Sequence, residues 1–79
     1  MAEQVLDKKL YVNNDSAKPK TVIIEPWADE RILQPGEKCL IAYMTDPRFE
    51  EVEIDCGDEA ITVHFHTGAI AEFAEIAEK

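Results

Sequence analysis

The sequence predicts an all-β domain, a compact antiparallel β-sandwich or partly open barrel of about six or seven short strands. Turn-forming residues recur roughly every 8–12 positions, as at Asn13-Asn14-Asp15-Ser16, Pro35-Gly36 and Gly57-Asp58. Short runs rich in Val, Ile, Tyr and Phe separate these turns, as is typical of sandwiches and small barrels. We expect strands near 9–13, 20–25, 30–34, 38–45, 50–57, 60–66 and 69–74.

The whole chain, 1–79, is predicted to be a single β domain, because a chain of this length has room for one hydrophobic core. Pro26 should end a strand, form a bulge or lie at an edge, since proline cannot donate to a strand ladder. The segment 71–79 fits two patterns. We favour a strand through Phe73 followed by a frayed or helical end, so that a short C-terminal helix remains an alternative.

Charge is distributed unevenly along the chain, which carries a formal net charge of −9. Residues 1–40 contain six Lys and Arg against seven Asp and Glu, whereas residues 41–79 contain two against ten. Nucleic acids and anionic membranes both require a cationic surface, so neither is an expected partner. The acidic surface favours solubility and, among partners, a protein with a basic surface.

No apolar run approaches the roughly 20 residues that span a bilayer, and no basic segment followed by an apolar one resembles a secretory signal. We therefore expect a cytoplasmic protein whose two cysteines are reduced. Neither cysteine lies in a Cys-x-x-Cys motif, and parity places both Cys39 and Cys56 on core-facing sides of strands, as small buried hydrophobes.

The segment from Glu50 to His66 alternates strictly and predicts a hairpin with one buried and one solvent-exposed face. A two-residue turn at Gly57-Asp58 would set Glu51 opposite His64. A turn centred on Asp58-Glu59, or a four-residue loop with the same pairing, would instead set Glu53 opposite His64 and Glu51 opposite His66. Both registers pair apolar with apolar residues, and the sequence does not choose between them.

The preceding strand is expected to pair with this hairpin through a turn at Asp46-Pro47-Arg48-Phe49. That pairing would set Tyr43 opposite Val52, Ile41 opposite Ile54 and Cys39 opposite Cys56. The other face of the same strand is apolar as well, which predicts a central strand covered on both sides or an interface. The residues of that second face are Leu40, Ala42 and Met44.

Two imidazoles on one strand face, together with facing carboxylates, suggest a weak divalent-metal site. Its candidate ligands are His64, His66, Glu51 and Glu53, although cross-strand His–carboxylate contacts on a solvated face explain the same pattern. We expect no cofactor and no catalytic residue. The chain has no Gly-x-Ser-x-Gly motif and only three glycines, too few for a phosphate-binding loop.

Trp27 follows the interruption of the strand pattern at Pro26 and has acidic residues around it. It is either a core aromatic at one end of the sandwich or an exposed anchor for a partner. The leading functional expectation is a non-enzymatic interaction module, with Trp27, Leu40 and Met44 as candidate contact residues. The partner would be a basic protein surface, or a second copy of the chain docked through Leu40, Ala42 and Met44. The alternative is a weak divalent-metal-binding protein that uses the His-x-His strand face.

One pattern covers about half of the chain and resembles small, uncharacterised bacterial β-sandwich proteins. It comprises Ile24-Glu25-Pro26-Trp27, then Ile32-Leu33-Gln34-Pro35-Gly36-Glu37 and the apolar strand that follows. The resemblance implies a compact antiparallel fold. It implies no activity, and no site residues transfer from it.

Overall fold

A computed structural model describes residues 6–75, and within that range the chain forms seven β-strands in two sheets. The all-β prediction is confirmed, and each predicted strand boundary lies within two residues of the observed one. The strands are β1 (Lys8–Asn13), β2 (Lys20–Glu25), β3 (Asp29–Leu33), β4 (Lys38–Met44), β5 (Val52–Cys56), β6 (Ala60–Phe65) and β7 (Ile70–Ala74).

The smaller sheet has the order β1-β4-β7, and both of its pairings are antiparallel. β4 is central, as its two apolar faces predicted. β7 is a strand through Ala74, in agreement with the favoured prediction for this segment, so a helix that included 71–74 is excluded. The remaining part of the predicted C-terminal end, 76–79, lies outside the described residues.

The larger sheet has the order β3-β2-β6-β5 and is built from two antiparallel hairpins, β2–β3 and β5–β6. The hairpins join through a parallel pairing of β2 with β6, in which Ile24 lies beside Val63. The predicted antiparallel arrangement therefore holds for four of the five pairings. The fifth is parallel because β2 and β6 belong to separate hairpins, and no short turn dictates their relative direction.

The core lies between the two sheets and is formed by alternate residues of each strand. The side chains of Val22, Ile24, Ile41 and Val63 are completely buried. Full burial of one such aliphatic side chain contributes about 1.5–3 kcal/mol. Leu10, Tyr43, Val52 and Phe73 pack against this cluster from its margins.

The predicted β4–β5 hairpin is wrong. β4 pairs with β1 and β7, whereas β5 pairs with β6 in the opposite sheet, so Cys39 and Cys56 are not cross-strand partners. The turn itself forms where expected, with an isolated bridge between Asp46 and Phe49. A turn signal determines a local reversal of the chain but not the sheet that the next strand joins, and here the connection crosses between sheets.

Asp46 organises this crossing. Its carboxylate accepts the backbone N–H of Arg48 at 2.9 Å and two guanidinium N–H groups of the same residue at 3.1 and 2.8 Å. The side-chain and backbone hydrogen bonds from Arg48 lower the pKa of the Asp46 carboxyl below its ordinary value. Gly68, with φ of 90°, approaches the same side chain so closely that an added Cβ would lie 3.0 Å from the Asp46 Cβ.

Asn14 is a buried polar residue that ties the β1–β2 loop to the end of β3. Its side-chain amide donates to the carbonyl oxygens of Lys18 at 2.8 Å and Leu33 at 3.0 Å. Its side-chain oxygen accepts the Ser16 backbone N–H at 3.0 Å and the Ser16 hydroxyl at 2.6 Å. The sequence marked this position only as part of a turn, yet the side chain meets all its main hydrogen-bonding needs inside the protein.

In the described part of the chain, no helix has the length and apolar character that crossing a membrane requires.

Candidate interaction surfaces

The two histidines lie on the outer face of the larger sheet, as alternation along β6 predicts, because Ile61, Val63 and Phe65 face the core. Of the two registers left open, the structure has the one in which Glu53 lies opposite His64. His64 Nε2 lies 3.0 Å from a carboxylate oxygen of Asp55, diagonally across the hairpin. His66 Nε2 lies 4.0 Å from Glu51, at the limit of an ion pair.

Carboxylates dominate this outer face. Strand pairing brings Glu25 of β2 beside His64 from one side and Glu53 of β5 from the other. The two cationic residues of these four strands, Lys20 and Arg31, are in phase with the core-facing residues of their strands and so belong to the inner side of the sheet. We call the outer surface the acidic face; its carboxylates are Glu25, Glu30, Glu51, Glu53 and Asp55.

The four candidate metal ligands share the acidic face but do not converge. His64 contacts Asp55 and His66 contacts Glu51, which gives two separate imidazole–carboxylate pairs. Among residues 6–75, no group of three or more His, Cys, Asp or Glu side chains is arranged to hold a metal ion. A firm zinc site in a protein usually takes at least three protein ligands. Chemically, this arrangement offers negative charge and hydrogen-bond acceptors to a cationic partner.

The two cysteines differ sharply in environment, although both are free thiols. Cys39 is buried in the core, and this burial raises the pKa of its thiol, an effect that the charge of Arg31 partly opposes. Cys56 is exposed, so its predicted burial is wrong. Its side chain does lie on the core-facing side of β5, beside Ile61, but the smaller sheet does not extend far enough to cover it.

The incomplete cover over β5 follows from strand number, since a three-stranded sheet cannot cover a four-stranded one. The Arg31 guanidinium lies 4.8 Å from the centre of the Phe73 ring, which places β7 over β3 at the opposite edge. At the β5 edge, Ile54 is 46% exposed although its cross-strand neighbour Val63 is fully buried. We call Ile54 and Cys56, together with the half-buried Val52, the β5 overhang.

The outer face of the smaller sheet is largely apolar. Leu40 is buried, and Ala42 and Met44 are half-buried. These three residues form the second apolar face of β4 that the sequence predicted. The neighbouring strands contribute Tyr11, Ile70 and Ala74 at the paired positions. We call these six residues the apolar face. One row across it carries charge, with Lys9 on β1 and Glu72 on β7 flanking Ala42.

Trp27 lies in the loop between β2 and β3 and is 42% exposed. Its ring centre is 6.1 Å from that of Phe65, a core residue at the end of β6, so the indole packs against the sandwich while part of it meets solvent. The loop contains a cis peptide bond before Pro26 and a positive φ of 63° at Ala28.

A shallow groove of about 460 Å³ lies at the end of the β5–β6 hairpin. It is lined by the segment leading into β5 and by the histidine that follows β6. Sequence patterns did not predict this groove, because it forms only where the crossing between sheets meets the hairpin. Its lining residues are Pro47, Arg48, Phe49, Glu50, Glu51 and His66.

These features define a small β-sandwich of two unequal sheets, one with an acidic outer face and the other with an apolar outer face. No protein-family model, curated protein or solved structure matches this chain.

Proposed function

We propose that this protein is a cytoplasmic, non-enzymatic interaction module that uses its acidic face to bind a protein with a basic surface. The observation that carries the proposal is the concentration of five carboxylates on one face of the larger sheet, where alternation places no lysine or arginine of its strands. A face of one charge sign attracts an oppositely charged partner and repels like-charged ones.

Further observations support parts of this proposal. Both imidazoles lie on an open sheet face rather than in an enclosed cleft, and catalytic groups derive most of their electrostatic effect from sites that exclude water. Both cysteines are free thiols in different sheets, as is common in a reducing compartment.

The proposal is tested by affinity capture from the native host with three baits at low salt. One bait is the unmodified protein, and the second carries Glu30→Gln, Glu51→Gln and Glu53→Gln on the acidic face. The third removes the same number of charges elsewhere, at exposed positions outside that face. Its substitutions are Asp7→Asn, Asp15→Asn and Glu75→Gln.

We expect a basic protein that the unmodified and control baits retain, that the acidic-face bait loses, and that moderate salt releases. At 0.1–0.15 M ionic strength, salt largely screens the interaction between exposed charges that are more than about 8–10 Å apart. Retention of the same proteins by all three baits, or of none, would show that the acidic face is not a binding surface.

The apolar face favours a second candidate function, self-association of two copies through the smaller sheets. Its rows are self-complementary about a two-fold axis parallel to β4. The row Lys9-Ala42-Glu72 would face Glu72-Ala42-Lys9 of the second copy, so opposite charges meet on both sides. The adjacent row would set the large Tyr11 against the small Ala74. Lysine and glutamate side chains together can bridge the roughly 10 Å between stacked sheets.

Charge exchange tests this dimer. Lys9→Glu and Glu72→Lys should each weaken self-association in sedimentation equilibrium, because each places like charges opposite one another. The double variant should recover it by restoring opposite charges with their positions exchanged. A protein that stays monomeric up to millimolar concentration, or a double variant as weak as the single ones, contradicts this geometry.

A further inference from the structure

In the part of the chain that the structure describes, β5 leaves one backbone edge of the larger sheet open. The Gly57 N–H donates to the Ala60 carbonyl oxygen at 2.8 Å, which identifies these two residues as a hydrogen-bonded pair next to the turn. In an antiparallel ladder such pairs alternate with non-bonded ones, so Asp55 and Glu53 are the next residues bonded to β6. The N–H and C=O groups of Val52, Ile54 and Cys56 therefore point away from β6, toward the open edge.

Within residues 6–75, no strand pairs with this edge, because β5 is the terminal strand of its sheet. The same three residues form the β5 overhang. The side chains of Ile54 and Cys56 are exposed on the side that the smaller sheet leaves uncovered, and Val52 beside them is half-buried. The open backbone groups and the uncovered apolar side chains thus belong to the same positions.

The opposite side of β5 is acidic. Glu51, Glu53 and Asp55 alternate with the overhang residues and belong to the acidic face. A segment lying along this edge would meet carboxylates on one side and aliphatic or thiol groups on the other, with a repeat of two residues. Two copies of β5 would not pair well with each other, since like charges in neighbouring strands destabilise the pairing.

We propose that β5 accepts an extended peptide segment as a fifth strand of the larger sheet, and that the segment alternates basic with apolar residues. Basic side chains would lie beside Glu51, Glu53 and Asp55. Apolar side chains would cover the β5 overhang. Main-chain hydrogen bonds supply affinity in such strand addition, and alternate side chains supply specificity. The inference rests on the proposed function, because it names the basic partner of the acidic face as a strand.

The groove at the end of the β5–β6 hairpin lies where such a segment would leave the edge. The Arg48 guanidinium lies 5.6 Å from the centre of the Phe49 ring on its wall, and Phe49 is exposed. This wall offers an aromatic surface to a residue flanking the added strand.

Three synthetic peptides test the proposal against uniformly ¹⁵N-labelled protein. The first is Lys-Ile-Lys-Val-Lys-Ile-Lys, acetylated and amidated at its ends. The second has the same sequence with alternate backbone nitrogens methylated, which keeps charge and side chains but removes the N–H groups that would pair. The third contains the same residues in two blocks, Lys-Lys-Lys-Lys-Ile-Val-Ile.

The readout is amide hydrogen exchange at Val52, Ile54 and Cys56, followed by NMR. The alternating peptide should slow exchange at these amides by about fivefold or more, since each would gain a hydrogen-bond partner. The methylated and block peptides should not slow it. Ile54→Lys should weaken binding of the alternating peptide by about tenfold. Ile32→Lys is the matched control, because it adds the same charge at an exposed position on the opposite edge strand and should leave binding nearly unchanged.

The outcomes distinguish failure of strand addition from failure of the proposed function. Binding of all three peptides at the acidic face without slowed exchange at the three amides would overturn strand addition and leave the proposed function standing. Absence of binding by any basic peptide would overturn both. Equal effects of Ile54→Lys and Ile32→Lys would also place the peptide somewhere other than the β5 edge.

Discussion

Replacement of Asn14 by alanine should destabilise this protein more than alanine substitution of any other polar residue outside the strands. The change removes four hydrogen bonds, two donated to the carbonyl oxygens of Lys18 and Leu33 and two accepted from Ser16. The Leu33 bond is buried, whereas the other partners are partly accessible to water.

The expected magnitude follows from those environments. A typical hydrogen bond contributes about 1 kcal/mol net, and a buried acceptor left without a partner costs about 1–3 kcal/mol. Partners that are accessible to water can hydrogen-bond to it once the Asn14 side chain is gone, which offsets much of the loss. We therefore expect Asn14→Ala to lower the free energy of unfolding by about 2–3 kcal/mol. That loss is a large part of the total free energy of unfolding, which is roughly 4–12 kcal/mol for a domain of this length.

Urea denaturation followed by far-UV circular dichroism and by Trp27 fluorescence measures this loss. With an m-value of about 1 kcal/mol/M, the midpoint should fall by about 2–3 M. Asn13→Ala is the matched control, because Asn13 is exposed and its substitution should change stability by less than about 0.5 kcal/mol.

Asn14→Asp separates hydrogen bonding from shape. Aspartate preserves the acceptor oxygen and the volume but turns a second negative oxygen toward the Lys18 and Leu33 carbonyls. This variant should be less stable than Asn14→Ala at neutral pH and should recover as the pH falls, when a protonated carboxyl can donate again. A loss below about 0.5 kcal/mol for Asn14→Ala would refute the role assigned to this side chain.

Three further predictions follow from the core and the crossing between sheets. Cys56 should react with a disulfide reagent within minutes, whereas Cys39, buried and with a raised thiol pKa, should react only through unfolding; two fast thiols contradict this. Arg48 lowers the pKa of Asp46 in the folded protein. The contribution of the Asp46 carboxylate to folding stability is therefore present above the unfolded carboxyl pKa of about 3.9 and is lost as the pH falls through the lower folded value. The Asp46→Asn variant should therefore be less stable than the unmodified protein at pH 7 and should lose less stability on acidification. Equal losses of stability by the variant and the unmodified protein, measured by urea unfolding, would refute this role of Asp46. Gly68→Ala should cost about 1–3 kcal/mol in urea unfolding, given its positive φ and the 3.0 Å approach to Asp46, and a cost below about 0.5 kcal/mol contradicts that contact.

Local pattern predicted most of the secondary structure. All seven strands occur where turn residues and β-branched runs indicated them, because both signals act within a few residues of the chain. Alternation also placed His64 and His66 on the outer face and Val63 in the core. The correct hairpin register was one of two that the same alternation allowed.

Sheet membership was decided only by tertiary structure. The turn at Asp46 formed as expected, but β5 joined the opposite sheet, and β2 paired with β6 in parallel across a long stretch of sequence. A period of two reports which side chains share a face. It does not report which strand lies beside another, because that choice depends on long-range packing.

The exposure of Cys56 and Ile54 has the same origin. Their alternation correctly predicted the core-facing side of β5, yet burial requires a covering strand, and the opposite sheet has one strand fewer. Asn14 shows the converse case, since a turn residue became buried and fully hydrogen-bonded only when its loop met the end of β3. Sequence periodicity thus determined the strands and their faces, whereas the assembly of two unequal sheets decided which faces became surfaces.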